Sequence, residues 1–226
     1  MRNLVNISGL AALGIVGLVG CANLQSGPKS MTFFVTSASL GNGGNLGGLE
    51  GADRHCQTLA TAADAGDRTW HAYLSTQAPK LDDPSFVNAR DRIGSGPWQN
   101  ANGVVIARSV DELHSSKNNI SKLTSLDENG HAVNGRGDTP NKHDMLTGSR
   151  ADGTAFPGAP FADMTCGNWT KSGADGSAMT GHHDSKGPID SPWATSWNST
   201  HPTLGCSAEK VRPTGGDALF YCFAIN

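Results

Sequence analysis

The chain has 226 residues, of which only 37% are apolar, with 29 glycines and a formal net charge of −3. That length suits one domain or at most two. The mildly acidic, scattered charge offers no electrostatic footprint for nucleic acid and no basic face for anionic lipid. In chain order, the first element is a targeting segment over residues 1–20. Arg2 supplies a positive start and residues 10–19 an apolar stretch too short to span a bilayer comfortably.

The segment ends in Leu18-Val19-Gly20-Cys21. This resembles a bacterial lipobox, which implies cleavage before Cys21 and lipidation of that residue. Ala22 follows Cys21, and by resemblance to such lipoproteins the absence of Asp there implies release to the outer membrane of a Gram-negative cell. Residues 21–30 have no apolar pattern and read as a lipidated tether, so membrane attachment rests on the lipid. Losing residues 1–20 removes Arg2 and no acid, which takes the formal net charge from −3 to −4.

The folded domain is expected over residues 31–226. Residues 31–37 (MTFFVTS) form a β-rich run. Residues 41–48 hold five glycines and two asparagines, an irregular loop. It lacks P-loop spacing, so phosphate binding is not assigned. Leu49, Ala52, Cys56, Leu59, Ala60 and Ala63 share one helical face, which aims Cys56 at the core. Gly66 ends that helix, and residues 69–76 alternate as a strand with Trp70, Ala72 and Leu74 on one side. Residues 88–93 suggest a short helix and 104–107 a short strand. Ser109 caps a further acidic helical start, and Asn129-Gly130 marks a hairpin within 126–133. Residues 134–213 are mostly turn residues, with 145–149 the one strand-like piece before Cys166. Residues 218–226 (ALFYCFAIN) read as a buried central strand.

With Cys21 set aside, Cys56, Cys166, Cys206 and Cys222 remain, and four cysteines allow three connectivities. Cys56 faces the core from the helix and Cys222 lies in the buried last strand, while Cys166 and Cys206 flank the loop-rich region. These placements favour the nested pairs Cys56–Cys222 and Cys166–Cys206, a framework suited to a thin core in an oxidising compartment.

Nested disulfides, a helix then a strand near the start, long loops and a terminal Tyr-Cys-Phe strand resemble the C-type lectin-like fold. The nearest version is its endostatin-like branch, where a stretch similar to Gly48-Leu49-Glu50-Gly51-Ala52-Asp53-Arg54-His55-Cys56 occurs, followed by a strand like Ala72-Tyr73-Leu74-Ser75. Asp111-Glu112-Leu113, the 148–153 turn and Cys166-Gly167-Asn168-Trp169 also have counterparts. The resemblance runs from about Phe33 to the C-terminus and extends to bacterial secreted or lipid-anchored proteins described as lectins. It implies an α+β domain with a small twisted antiparallel sheet, two helices and long disulfide-pinned loops. It also implies binding of a glycan or an extracellular protein rather than catalysis. The chain has neither the Glu-Pro-Asn nor the Gln-Pro-Asp calcium loop of sugar-binding members, and Trp197-Asn198-Ser199 lacks the second carboxylate of their Trp-Asn-Asp motif.

The candidate ligand-binding residues are Trp193, Trp197 and Asn198, because aromatic faces stack on sugars and other flat groups. Core anchoring of the two indoles is the competing reading. His182-His183-Asp184, with His201 beyond, has zinc-type donors. But adjacent histidines in an extended loop point apart, and the spacing matches no zinc signature. Neither a metal nor a cofactor is therefore assigned. His143-Asp144 and the serines lack a Gly-x-Ser-x-Gly setting, and Asp82-Asp83 before a proline reads as a turn, so an enzyme is not expected. Arg136-Gly137-Asp138 matches an integrin-recognition tripeptide that turn-rich sequence readily produces by chance.

Overall fold

In a computed structural model, Met1 and residues 30–226 are described. The leader, Cys21 and the tether up to residue 29 lie outside the described residues, apart from Met1. The strands are β1 (Phe33–Val35), β2 (Trp70–Ala72), β3 (Trp98–Gln99), β4 (Val105–Ala107), β5 (Asp144–Leu146), β6 (Thr180–His182), β7 (Gly216–Leu219) and β8 (Tyr221–Ala224). The helical segments are α1 (Gly48–Ala62), α2 (Val110–Leu113), α3 (Cys166–Trp169), α4 (Pro192–Thr195) and α5 (Ala208–Val211). The domain is thus mixed α+β, with small, mainly antiparallel sheets.

The expected central strand is central. β8 lies between β1 and β2 and pairs antiparallel with both. Side chains alternate across a strand, so this sheet divides two apolar clusters. On one face Phe34, Trp70, Ala72, Cys222 and Ala224 meet α1. On the other, Phe33, Val35, Tyr73, Tyr221 and Phe223 pack with Trp98 and Trp197. All four β8 residues are buried.

α1 packs on β2 through its small face, with Ala52, Cys56 and Ala60 fully buried. The Gly-x-x-Gly-Ala-Asp motif explains itself here. A Cβ at Gly51 would lie 2.0 Å from the Leu46 carbonyl oxygen, so only glycine permits this approach. Asp53 then reaches the outer edge of β2, its carboxylate accepting from the Ala72 N–H at 2.8 Å and from Arg92 at 2.6 Å. Arg92 also donates to the Ala72 carbonyl. An edge strand leaves such groups unpaired; here one ion pair satisfies both.

The nested disulfides are Cys56–Cys222, 166 residues apart in sequence, and Cys166–Cys206, 40 apart. The first welds α1 to β8. The second holds α3, where Cys166, Gly167, Asn168 and Trp169 take φ of 48°, 61°, 53° and 67°. Four successive left-handed residues are costly. The turn is fixed by the Trp169 indole N–H on the Ser75 carbonyl and by reciprocal bonds between Asn168 and the Gln77 backbone.

Several expectations need correction. Among the described residues there are three small sheets, not one: β1-β8-β2, β3-β4 and β6-β5-β7, the last with a parallel β5–β7 pair. One 15-residue helix and four four-residue helical segments replace two helices there, and residues 88–93 supply only a 3-10 turn, Ala89–Asp91. The terminal run divides at Phe220 into β7 and β8. β6 carries no sequence signal, because Thr180–His182 has no apolar alternation. Its Gly181 is required, since a Cβ there would lie 2.0 Å from the Trp197 carbonyl oxygen.

Two stability effects follow. Asp53→Ala strips Arg92 of its carboxylate and leaves the Ala72 N–H unpaired, and is expected to cost about 2–4 kcal/mol in a denaturant titration; an unchanged midpoint would contradict the edge clamp. Cys56→Ala with Cys222→Ala opens the longer loop and is expected to cost about 4–5 kcal/mol, against about 3–4 kcal/mol for the Cys166–Cys206 pair. The reverse order would show that the outer link is not the main covalent constraint.

Candidate functional site

The three residues singled out from sequence do not share a face. Trp193, on α4, is 59% exposed, whereas Trp197 is 6% and Asn198 1% exposed. The Trp197 ring packs against Tyr73 at 4.7 Å and Tyr221 at 5.2 Å between centroids. Asn198 donates to the Tyr73 hydroxyl at 2.9 Å and to the carbonyls of Arg150 and Ala151 at 3.1 and 3.2 Å. The cause is Tyr73. Its hydroxyl is buried beneath the sheet and must be satisfied there. It contacts His114 Nε2 at 2.7 Å and accepts from Asn198. Burial raises the Tyr73 pKa and lowers that of His114. Trp197 and Asn198 therefore serve the scaffold, and the Asn198 side-chain oxygen accepts from the Ser196 hydroxyl at 3.0 Å.

A cleft lies elsewhere, where residues 78–86 meet residues 150–158. It encloses about 360 Å³ and is lined by Lys80, Leu81, Phe86, Arg150 and Phe156, among others. Leu81 and Phe86 are about half exposed, and the Arg150 guanidinium sits 5.7 Å from the Phe156 ring centre. Its wall is rigidly placed. Buried Gln77 donates to the carbonyls of Pro157 and Ala162 at 2.7 and 3.0 Å and accepts from the Met164 N–H at 2.6 Å. The Leu81 N–H reaches the Ala159 carbonyl at 2.8 Å. Asp83, on the rim, accepts from the Ser85 N–H as a turn residue does. In Arg136-Gly137-Asp138, the Asp138 carboxylate is taken up by Lys122 and the Gly135 N–H.

The third feature is a buried group of histidines and carboxylates on the β6-β5-β7 sheet. The β5–β6 register sets Asp144 directly opposite His182. The Asp144 Oδ1 lies 3.2 Å from His143 Nε2, 3.3 Å from His182 Nε2 and 3.6 Å from His201 Nε2. The His182 and His201 Nε2 atoms are 3.1 Å apart, and the His143 and His182 rings stack at 4.0 Å. His183 faces away, its Nε2 on the Asn134 carbonyl, as expected of adjacent residues in an extended segment. Asp184 sits behind His143. Burial opposes its ionisation, but hydrogen bonds with His143 and from the Arg136 and Lys186 N–H groups outweigh this and hold its carboxyl below the usual range. Sequence spacing separated His143-Asp144 from His182 and His201; strand pairing unites them.

Among known proteins, no family model and no curated protein matches this chain.

Proposed function

We propose that the chain is an exported, lipid-anchored recognition domain of the C-type lectin-like, endostatin-like type, and that it binds a glycan at the cell envelope without catalysing a reaction. The fold reading is supported by the helix-to-strand order of α1 and β2, by the pairing of β1 with β8, and by a long disulfide around a short one. Two disulfides suit an oxidising compartment, and the Leu18-Val19-Gly20-Cys21 sequence supports the lipid anchor.

The observation that carries the ligand reading is the cleft between residues 78–86 and 150–158. Its volume is in the range of small-ligand sites, and it offers apolar rings beside fixed polar groups. Phe86 and Phe156 line it and supply aromatic rings against which a sugar can pack, while Lys80 and Arg150 supply donors for hydroxyl or carboxylate oxygens. The Gln77 hydrogen bonds pre-order the wall, which lowers the entropy lost on binding. A different class of role, a structural envelope lipoprotein with no small ligand, makes no use of this cleft.

Binding of the full chain to a glycan array, with and without calcium, separates the two. The expected result is calcium-independent binding to a restricted set of glycans. Phe86→Ala and Phe156→Ala should each weaken it by about tenfold, equal to about 1.4 kcal/mol. Phe86→Ala should lower the melting temperature only slightly, because the residue is about half exposed. Silence under both conditions would favour the structural role.

A further inference from the structure

We propose that His143, Asp144, His182 and His201 form a binding centre for a zinc-type divalent transition-metal ion, a role separate from the ligand cleft. The first observation is convergence. His143, Asp144 and His182 are buried and offer ligand atoms that all lie within 4.8 Å of one another. His201 adds a third imidazole, 3.1 Å from His182 Nε2. A tetrahedral ion with bonds of about 2.0–2.1 Å sets its ligand atoms about 3.3 Å apart. The Nε2 contacts to Asp144 Oδ1 span 3.2 to 3.6 Å.

The second observation is the direction of the lone pairs. His143 Nδ1 lies 3.3 Å from Asp184 Oδ1, His182 Nδ1 lies 2.9 Å from the Ala194 carbonyl, and His201 Nδ1 lies 3.3 Å from the Pro202 carbonyl. Each of these partners can accept a hydrogen bond from an Nδ1–H, the tautomer that would leave Nε2 free for a metal ion. This is how metal-bound histidines are oriented, the carboxylate–histidine arrangement at Asp184 included. In that tautomer the three Nε2 atoms gather within 3.6 Å of Asp144 Oδ1, and the ionised carboxylate is itself only an acceptor.

The third observation is that carboxylate. The Asp144 side chain is fully buried, and among the described residues neither of its oxygens finds a hydrogen-bond partner. A buried carboxylate without an aligned hydrogen-bond donor is costly, and a cation held among the Nε2 atoms would offset that cost. Three nitrogens and one oxygen favour zinc over calcium or magnesium, which take oxygen ligands. Four protein ligands also close the coordination shell, the pattern of a structural rather than a catalytic site. His201, with its side chain 35% exposed, provides the way in from solvent. The ion would join β5 and β6 to the segment that runs from His201 to Cys206.

The test uses the full chain, stripped with a chelator and titrated with Co2+ and then Zn2+. The expected result is one ion per chain, a four-coordinate Co2+ absorption spectrum that Zn2+ abolishes, and a higher melting temperature with Zn2+. His201→Ala, at the most exposed ligand, and Asp144→Asn, nearly the same shape, should each weaken Zn2+ binding by about 100-fold or more. His201→Ala should leave the melting temperature of the stripped protein nearly unchanged. Failure to take up either ion at micromolar concentration would overturn the proposal and leave a proton-sharing histidine–carboxylate network. Uptake unaltered in both variants would also overturn it, by placing the ion elsewhere. Glycan binding by the stripped protein is a separate readout, so loss of one proposal leaves the other standing.

Discussion

The structure depends on the burial of β8 on both faces. A four-residue strand contributes few ladder hydrogen bonds, so its position is maintained by what covers it. On one side α1 lies close enough that Gly51 cannot carry a side chain, and Cys56 joins Cys222 covalently. On the other, Tyr221 and Phe223 belong to an aromatic layer with Phe33, Tyr73, Trp98 and Trp197. With so few apolar residues in the chain, the disulfide restricts the unfolded state where packing alone would be marginal.

That same layer dictates what the polar second half can do. Tyr73 places a hydroxyl in the core, and satisfying it draws in Asn198 and His114. Asn198 in turn bonds the carbonyls of Arg150 and Ala151, which fixes one wall of the cleft. The other wall hangs from Gln77, two residues beyond Ser75, whose carbonyl takes the Trp169 indole. Two sets of buried polar contacts, one at Tyr73 and one at Ser75 and Gln77, therefore connect the sheet to the cleft, and loops with little regular structure acquire defined positions through them.

What could be read in the sequence follows from the range of the forces involved. The α1 face, the final strand and the cysteine pairing were legible because periodicity and local composition report burial directly. Trp197 and Asn198 were misplaced on a binding surface because their burial answers a distant hydroxyl, which no local pattern records. The histidines stand out in the sequence as zinc-type donors, but their convergence does not. His143-Asp144 and His182-His183-Asp184 looked like separate loop segments, and only the β5–β6 register brings Asp144 and His182 together. The cleft leaves no sequence signal because Leu81, Phe86 and Phe156 are scattered in loops without a repeat.

The segment from His201 to Cys206 shows how the long loops are held. At one end His201 leans on Asp144 and His182; at the other, Cys206 is bonded to Cys166. Between them, the Thr203 hydroxyl accepts from the Ala178 N–H, and the Thr203 N–H returns to the Ala178 carbonyl. A disulfide acts mainly by restricting the unfolded chain. A metal centre acts on the folded state, because its ligands converge only after β5 and β6 pair. The two constraints are therefore not redundant: the disulfide limits how far the loop can stray, and the histidine centre rewards the one arrangement in which strand register and loop position agree.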